Sequence, residues 1–396
     1  MSILELGKKA KEASLQLQGL SEEMRLTALD AISHIISSHT MEILLANQKD
    51  LEEGHANKLS EALLERLTLN EKSIIALSNM CQEVANQKQV VGIITESHTR
   101  TDGLLIQKQR IPLGVIGMIF ESRPNVVVDG AALAIKSGNA IILKGGKEAQ
   151  FTNRVLFDLI QKAIHSVLPE GSVSLIETRE DVAELLKLSQ YIDLMVPRGG
   201  SNLIRFVKEH ATMPVVAHDK GLCHLYVHVD CAVDAKDIVL NAKVQRPSAC
   251  NALETLILHE NYPKNNEIIA ALKSAGVDVK HPATHEDFDT EWLDKKISIK
   301  IVKNHQEAIE HIKRYTSHHT EAVLAQDQKV IEDFMNLLDA SCIAINASTR
   351  FNDGGELGLG AELGISTSKL HAYGPMGAQE MTTTRFIVTG NGHVRE

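Results

Sequence analysis

The chain has 396 residues, 43% hydrophobic, 23% charged and only 4% aromatic, with a formal net charge of -10 at pH 7. That length exceeds what one hydrophobic core usually organises, so two compact lobes are expected, and the ordinary composition argues against a disordered or fibrous chain. An acidic balance with Lys and Arg dispersed leaves no electrostatic footprint for nucleic acid or an anionic membrane, so any anionic ligand must meet a local positive site.

In chain order, Met1 to Gln18 reads as an amphipathic helix rather than a signal peptide, and residues 3 to about 88 read as helices throughout. Leu29, Ile32 and Ile36 recur at helical spacing, and Thr68 with Glu71 predicts a capping box before Ile74, Ile75 and Leu77. From His98 to Arg110 the pattern alternates around Asp102-Gly103, which predicts a hairpin or extended arm. The longest apolar run, Leu113 to Phe120, is far shorter than the ~20 residues a membrane-spanning helix needs. A regular alternation follows: strand 113–119, helix 129–138, strand 140–143, helix 151–167, strand 173–176, a short helix and strand 191–196. This predicts a parallel α/β layer, which binds ligands at the carboxyl ends of its strands. A second series, with strands at 223–229, 254–258, 298–302, 321–325 and 341–346, predicts another α/β lobe. The tail from Phe351 to Gly377 is rich in glycine, and Met381 to Thr389 reads as a strand able to pair with the arm near residue 105.

Five cysteines at 81, 223, 231, 250 and 342, without a CxxC pair, argue against a disulfide framework or zinc knuckle. Free thiols suit a reducing compartment, so a soluble, cytoplasmic protein is expected. The sequon Asn346-Ala347-Ser348 is a chance match in such a protein. A lone thiol is more often a small buried hydrophobe than a nucleophile. Cys223 and Cys342 lie in apolar strands and Cys81 and Cys231 in or beside helices, whereas Cys250 lies in the polar loop Gln245-Arg246-Pro247-Ser248-Ala249-Cys250-Asn251. Cys250 is therefore the candidate.

Phe120-Glu121-Ser122-Arg123-Pro124-Asn125 follows the first parallel strand. There Asn125 can donate to a developing oxyanion, although Pro-Asn also simply starts helices. Lys144-Gly145-Gly146-Lys147 and Arg198-Gly199-Gly200-Ser201 end two further strands, with Ser201 opening a helix. One Gly-Gly pair is usually only a turn, but two at neighbouring strand ends point to phosphate groups of a dinucleotide. The GxGxxG fingerprint is absent, since Gly358-Leu359-Gly360-Ala361-Glu362-Leu363-Gly364 has one residue too many. His318-His319 has no third ligand at a telling spacing, so it is read as an exposed polar pair and no metal is expected.

With these segments in place the chain resembles the γ-glutamyl phosphate reductases (glutamate-5-semialdehyde dehydrogenases) of the aldehyde dehydrogenase superfamily over nearly its whole length. The resemblance rests on Pro112 to Gly117, Glu121 to Asn125, Ile192 to Gly200, Asn241 to Asn251, Asn346 to Phe351 and Gly374 to Gly377. It implies an aldehyde dehydrogenase-like α/β fold of two lobes, with residues 1–97, 111–222 and 352–378 binding NADP, 223–351 catalytic, and 98–110 with 379–396 an oligomerisation arm. It also implies Cys250 as nucleophile, Asn125 in the oxyanion hole, Lys144 on the adenosine ribose, Gly199, Gly200 and Ser201 under the pyrophosphate, and Glu291 on the nicotinamide ribose. Gly146 and Lys147 belong to the same cofactor turn, with Lys147 suited to a 2′-phosphate.

NADPH would then reduce L-glutamyl 5-phosphate, a doubly anionic substrate that calls for guanidinium forks from Arg123, Arg246 and Arg350. Expected partners are a second or further copy of the chain, as homodimer or homotetramer, and transient contact with glutamate 5-kinase. Three departures stand out. Tyr373 occupies the place of an arginine in His371-Ala372-Tyr373-Gly374-Pro375. The segment 280–298 is short, and Ala217-His218-Asp219-Lys220 replaces a Gly-rich stretch without the Glu base of oxidative aldehyde dehydrogenases. The competing readings are an oxidative NAD(P)-dependent aldehyde dehydrogenase, a thiol acyltransferase and a noncatalytic nucleotide-binding oligomeric module.

Overall fold

A computed structural model describes residues 1–217 and 220–395. It forms two compact units: Met1–Val216 with Gly358–Gly364 and Met376–Glu396, and Ala217–Leu357 with Ile365–Pro375. No described helix is long and apolar enough to cross a membrane.

The first unit opens with α1 (Ile3–Gln18), α2 (Glu22–Ser38), α3 (Thr40–Ala56), α4 (Glu61–Leu67) and α5 (Glu71–Asn86). Ser2, Ser21 and Ser60 cap α1, α2 and α4 by accepting backbone N–H bonds. The capping box expected of Thr68 and Glu71 is instead made by Asn70 and Ser73. Thr68 ends α4, donating its hydroxyl to Leu64 O at 2.7 Å, so it is already committed to the preceding helix. An antiparallel hairpin follows, β1 (Ile94–Thr99) and β2 (Leu105–Pro112), turning at Arg100–Leu104.

The unit's parallel sheet comes next, from β3 (Val115–Phe120), α6 (Val126–Lys136), β4 (Ala140–Lys144), α7 (Gln150–Ile164), β5 (Val173–Ile176), α8 (Arg179–Leu185), β6 (Leu194–Arg198) and α9 (Ser201–His210). Its strand order is β5-β4-β3-β6, and every pairing is parallel. β3 and β4 are buried along their whole length, which is why they read as continuous apolar runs rather than alternating ones.

The second unit holds β7 (Cys223–Val227), α10 (Ala235–Val244), β8 (Leu253–His259), α11 (Asn265–Ser274), β9 (Asp278–Lys280), α12 (His285–Phe288), β10 (Lys296–Val302), α13 (His305–Tyr315), β11 (Thr320–Leu324), α14 (Gln328–Leu337) and β12 (Cys342–Ile345). Its parallel sheet runs β12-β11-β7-β8-β10-β9. Leu225, Leu256, Leu258 and Leu324 pack with Val239, Ile268 and Leu272 on one face, while Tyr226, Ile257 and Val323 pack with Ile312 and Phe334 on the other. Helices therefore cover both faces, as a parallel sheet requires. The edge strand β9 has three residues, too few to show a period in sequence. Two short strands, β13 (Ile365–Ser366) and β14 (Gly374–Pro375), pair within this unit. The final strand, β15 (Thr382–Thr389), belongs to the first unit and pairs antiparallel with β2 from Thr382↔Pro112 to Thr389↔Leu105. The tail thus meets the hairpin where the sequence pattern predicts.

Candidate active site

In the second unit Cys250 lies half-buried in the loop between α10 and β8. The loop is pinned from several directions. The buried Asn251 amide donates to Asn352 O at 3.0 Å, and the Thr349 hydroxyl donates to Asn251 O at 2.7 Å. Beneath it, the Cys223 thiol donates to Cys250 O at 3.3 Å, and burial pushes the Cys223 pKa well up, so it stays protonated and can donate. Gly221 approaches from the other side: a Cβ there would fall 2.1 Å from Cys250 O, so this position admits no side chain. Parallel sheets ordinarily bind ligands at the carboxyl ends of their strands, yet Cys250 precedes β8 and sits at the amino end.

Arg350 is tied to the same loop, its Nε donating to Gln245 Oε1 at 2.8 Å. Burial lowers its pKa, and its surroundings include the charges of Asp353, Arg246 and Cys250. The structure therefore brings together Cys250, Arg246 and Arg350. Glu291 joins them through Gly221, whose N–H donates to Glu291 Oε1 at 2.9 Å. The next two residues of that loop, Trp292 and Leu293, donate their backbone N–H groups to the Glu254 carboxylate at 3.2 and 3.3 Å. Glu254 is itself paired with Lys243 at 3.1 Å, both side chains being almost fully buried. Burial pushes Glu254 up to about 7 and Lys243 down. Such a pair is costly to break because removing one partner strands the other charge. Sequence reading missed this support, although Lys243 and Glu254 flank the Cys250 loop.

In the first unit the remaining candidates gather at the carboxyl ends of the parallel strands. Asn125 precedes α6 and donates Nδ2 to Asp129 Oδ2 at 2.8 Å, one helical turn on. Burial raises Asp129 to about 6, against the nearby charges of Arg198 and Arg123. An amide carries two hydrogens, so Asp129 fixes the orientation of the group and leaves the second N–H for another acceptor. Helix-compatible i, i+4 spacing was the available signal for Asp129.

Both glycine turns lie against carboxylates. Glu121 Oε2 accepts from Gly200 N–H at 2.8 Å at the start of α9, and a Cβ on Gly199 would meet the same carboxylate at 2.3 Å. A Cβ on Gly146 would meet Glu148 Oε1 at 2.1 Å, and that oxygen accepts from the Ser122 N–H and hydroxyl at 2.7 and 2.6 Å. Ser201 is the first residue of α9, whose N-cap Gly200 has no capping side chain. Lys144 is buried at the end of β4, with its pKa lowered first by burial, while Lys147 beside it is exposed.

The glycine run 358–364 holds the end of β6 in place, since Glu362 takes two bonds from Arg198, through its carbonyl at 2.6 Å and its carboxylate at 3.3 Å. His318-His319 is not the exposed pair expected. His318 is exposed, but His319 immediately precedes β11, is fully buried, and lies 3.7 Å from the Cys223 sulfur. Among the described residues no cluster of His, Cys, Asp and Glu could hold a metal. Tyr373 donates its hydroxyl to Asp339 at 2.8 Å, and Lys369 pairs with the same carboxylate at 2.7 Å. His218 and Asp219, in the stretch that departs from the family pattern, lie outside the described residues.

The aldehyde dehydrogenase family model matches residues 3–290. A curated γ-glutamyl phosphate reductase of Nautilia profundicola is 44% identical over 411 aligned residues, covering 99% of this chain and 100% of that protein. The crystal structure of the γ-glutamyl phosphate reductase of Thermotoga maritima superposes with a TM-score of 0.94 at 41% identity, covering 100% of both chains. An acetylating aldehyde dehydrogenase of Geobacillus thermoglucosidasius shares the fold, with a TM-score of 0.76 at 17% identity, over 100% of this chain and 97% of the other. The chain belongs to the aldehyde dehydrogenase family and, within it, to the γ-glutamyl phosphate reductases.

Proposed function

We propose that the chain performs its family's reaction, reduction of L-glutamyl 5-phosphate to L-glutamate 5-semialdehyde with release of phosphate, in proline biosynthesis, by way of a thioester on Cys250 with NADPH as reductant. The observation that carries the reading is the Cys250 loop, pinned by Asn251, Thr349 and Cys223 and flanked by Arg246 and Arg350. A thiol needs help to ionise from its reference pKa of about 8.5, and neighbouring guanidinium charge supplies it. The Cys250 sulfur attacks the γ-acyl carbon, a C–S bond forms, and the C–O bond to phosphate breaks without a proton from the enzyme. When bound, NADPH supplies the hydride that reduces the thioester. Collapse of the resulting thiohemiacetal returns the Cys250 thiolate and frees the aldehyde. The Asn125 amide, oriented by Asp129, donates to the oxyanion. Arg123, Arg246 and Arg350 take the phosphate and carboxylate of the substrate.

The residues of the first unit suit a dinucleotide. A buried lysine stands at the end of β4, and the start of α9 already binds a carboxylate oxygen at a backbone amide. On this reading Lys144, Gly146 and Lys147 hold the adenosine end, Gly199, Gly200 and Ser201 the pyrophosphate, and Glu291 the nicotinamide ribose. The first unit is then the cofactor unit and the second the catalytic one. The sheet β1-β2-β15 is an assembly arm for a homodimer or homotetramer, supported by its solvent-facing Ile94, Phe386 and Val388. Contact with glutamate 5-kinase would shelter the labile acyl phosphate.

The test is reduction of NADP⁺ by glutamate 5-semialdehyde, comparing wild type with Cys250→Ala. Activity that requires phosphate and disappears in the variant is expected. Turnover without phosphate would defeat the reading in favour of an oxidative dehydrogenase, and turnover in the variant would remove the thioester.

A further inference from the structure

We propose that Glu148 is a positioning residue for the reaction: by accepting from both the amide and the hydroxyl of Ser122 it holds the joint between β3 and α6 in a left-handed turn, and so aims Arg123 and Asn125. This rests on the roles proposed above for those two residues, and it adds the group that places them.

The joint is short and lies between two fixed elements. β3 is buried along its whole length to Phe120, and α6, which begins at Val126, is buried at nearly every position. Arg123, Pro124 and Asn125 already belong to the helix side, since their carbonyls accept from the N–H groups of Val126, Val127 and Val128 at 3.1, 3.2 and 2.9 Å. Glu121 belongs to the sheet side, with its N–H donating to Arg198 O at 3.1 Å and its carboxylate accepting from Gly200 N–H at 2.8 Å. Ser122 therefore turns the chain from one element into the other, and it does so at a φ of 47°. A residue with a side chain is unfavourable in that left-handed region and stays there only when its neighbours hold it.

Glu148 does the holding. Its Oε1 accepts from Ser122 N–H at 2.7 Å and from the Ser122 hydroxyl at 2.6 Å. Ser122 is buried, so losing the carboxylate would strand its donors away from water. The carboxylate reaches this place by folding back over its own turn: a Cβ on Gly146 would collide with it, so the glycine admits the clamp. Lys144, at the end of β4, is close enough to attract the same group, for burial lowers the lysine's pKa and the charge of Glu148 opposes that shift. One carboxylate thus ties the glycine turn after β4 to the joint after β3. Release of Ser122 would swing Arg123 and Asn125 together, and a misplacement of about 1 Å at such groups costs on the order of 100-fold in rate.

The experiment compares wild type, Glu148→Gln, Glu148→Ala and the double variant Glu148→Ala with Ser122→Gly. It reads kcat and KM for phosphate-dependent reduction of NADP⁺ by glutamate 5-semialdehyde, calorimetric binding of NADP⁺, and hydrogen–deuterium exchange over residues 121–128. Glu148→Ala should lower kcat by on the order of 10- to 100-fold and speed exchange in that segment, with NADP⁺ affinity held within about threefold. Glu148→Gln keeps an oxygen for both donors and should retain most of the activity. Glycine adopts a positive φ without being held, so the double variant should recover part of the kcat lost in Glu148→Ala. Absence of that recovery, or NADP⁺ affinity lost in step with kcat, would overturn the proposal by making Glu148 a cofactor contact or a general structural group. Unchanged kcat or unchanged exchange in Glu148→Ala would overturn it as well. Wild type without phosphate-dependent turnover would defeat the reaction reading alone, and the exchange comparison would still decide whether Glu148 holds the joint.

Discussion

Gly221→Ala should cripple the enzyme while leaving it folded. The added Cβ would fall 2.1 Å from Cys250 O, 2.9 Å from Cys250 C and 2.8 Å from Glu291 Oε1. Two of these atoms are backbone, so the clash cannot be relieved by rotating the end of a flexible chain. Restoring an ordinary contact of about 3.4 Å requires the Cys250 carbonyl to move by more than about 1 Å. That carbonyl accepts the Cys223 thiol bond and carries the loop on which the Cys250 sulfur sits. A displacement of about 1 Å at a reacting group costs on the order of 100-fold in rate, equal to about 2.7 kcal/mol of transition-state stabilisation. Overpacking of this kind costs about 1–3 kcal/mol of folding stability, which a domain of ordinary stability survives. The assay is phosphate-dependent NADP⁺ reduction, run beside urea denaturation and alkylation of Cys250 by iodoacetamide. The expected result is a fall in kcat near 100-fold with a folded protein and an altered alkylation rate. A variant within twofold of wild type in kcat would show that the loop tolerates the displacement and refute the claim that Gly221 sets the position of Cys250.

Asn125→Ala should lower kcat about 100-fold with Cys250 still reactive to iodoacetamide, since on the proposed mechanism it removes an oxyanion donor and not the nucleophile; an unchanged kcat would remove the amide from the chemistry. His311 is packed against Phe288 and Tyr315, its Nε2 is buried without a partner, and burial pushes its pKa down to about 3. The folded state therefore binds fewer protons than the unfolded one between about pH 3 and 6.5, and stability falls as pH drops through that window. His311→Phe should remove about 2 kcal/mol of the loss in urea stability between pH 7 and pH 5; equal losses in both proteins would refute it. Deleting residues 98–110 should give smaller species in sedimentation velocity, and an unchanged sedimentation coefficient would take assembly away from the β1-β2-β15 sheet.

Much of the architecture is legible in local pattern because burial on both faces writes itself as apolar runs. Val115–Phe120, Ala140–Lys144 and Cys223–Val227 are strands for that reason, and Ser2, Ser21 and Ser60 announce the helices they cap. The Thr68 cap failed because a residue between two helices can serve either one, and spacing does not say which. His319 was read by its polarity, but the strand that follows it carries it into the core beside Cys223.

The candidate residues proposed for the chemistry were picked from the chain itself, since loop polarity singled out Cys250 and the glycine turns marked the strand ends. Tertiary structure alone decided what holds them: the Cys223 thiol under Cys250, Gly221 against its carbonyl, Glu254 gripping the loop of Glu291, and Asp129 steering Asn125. Caps and burial patterns are set by neighbours a few residues away, whereas most of these contacts join residues tens of positions apart. A single buried donor or acceptor leaves no trace in the sequence until the fold supplies its partner.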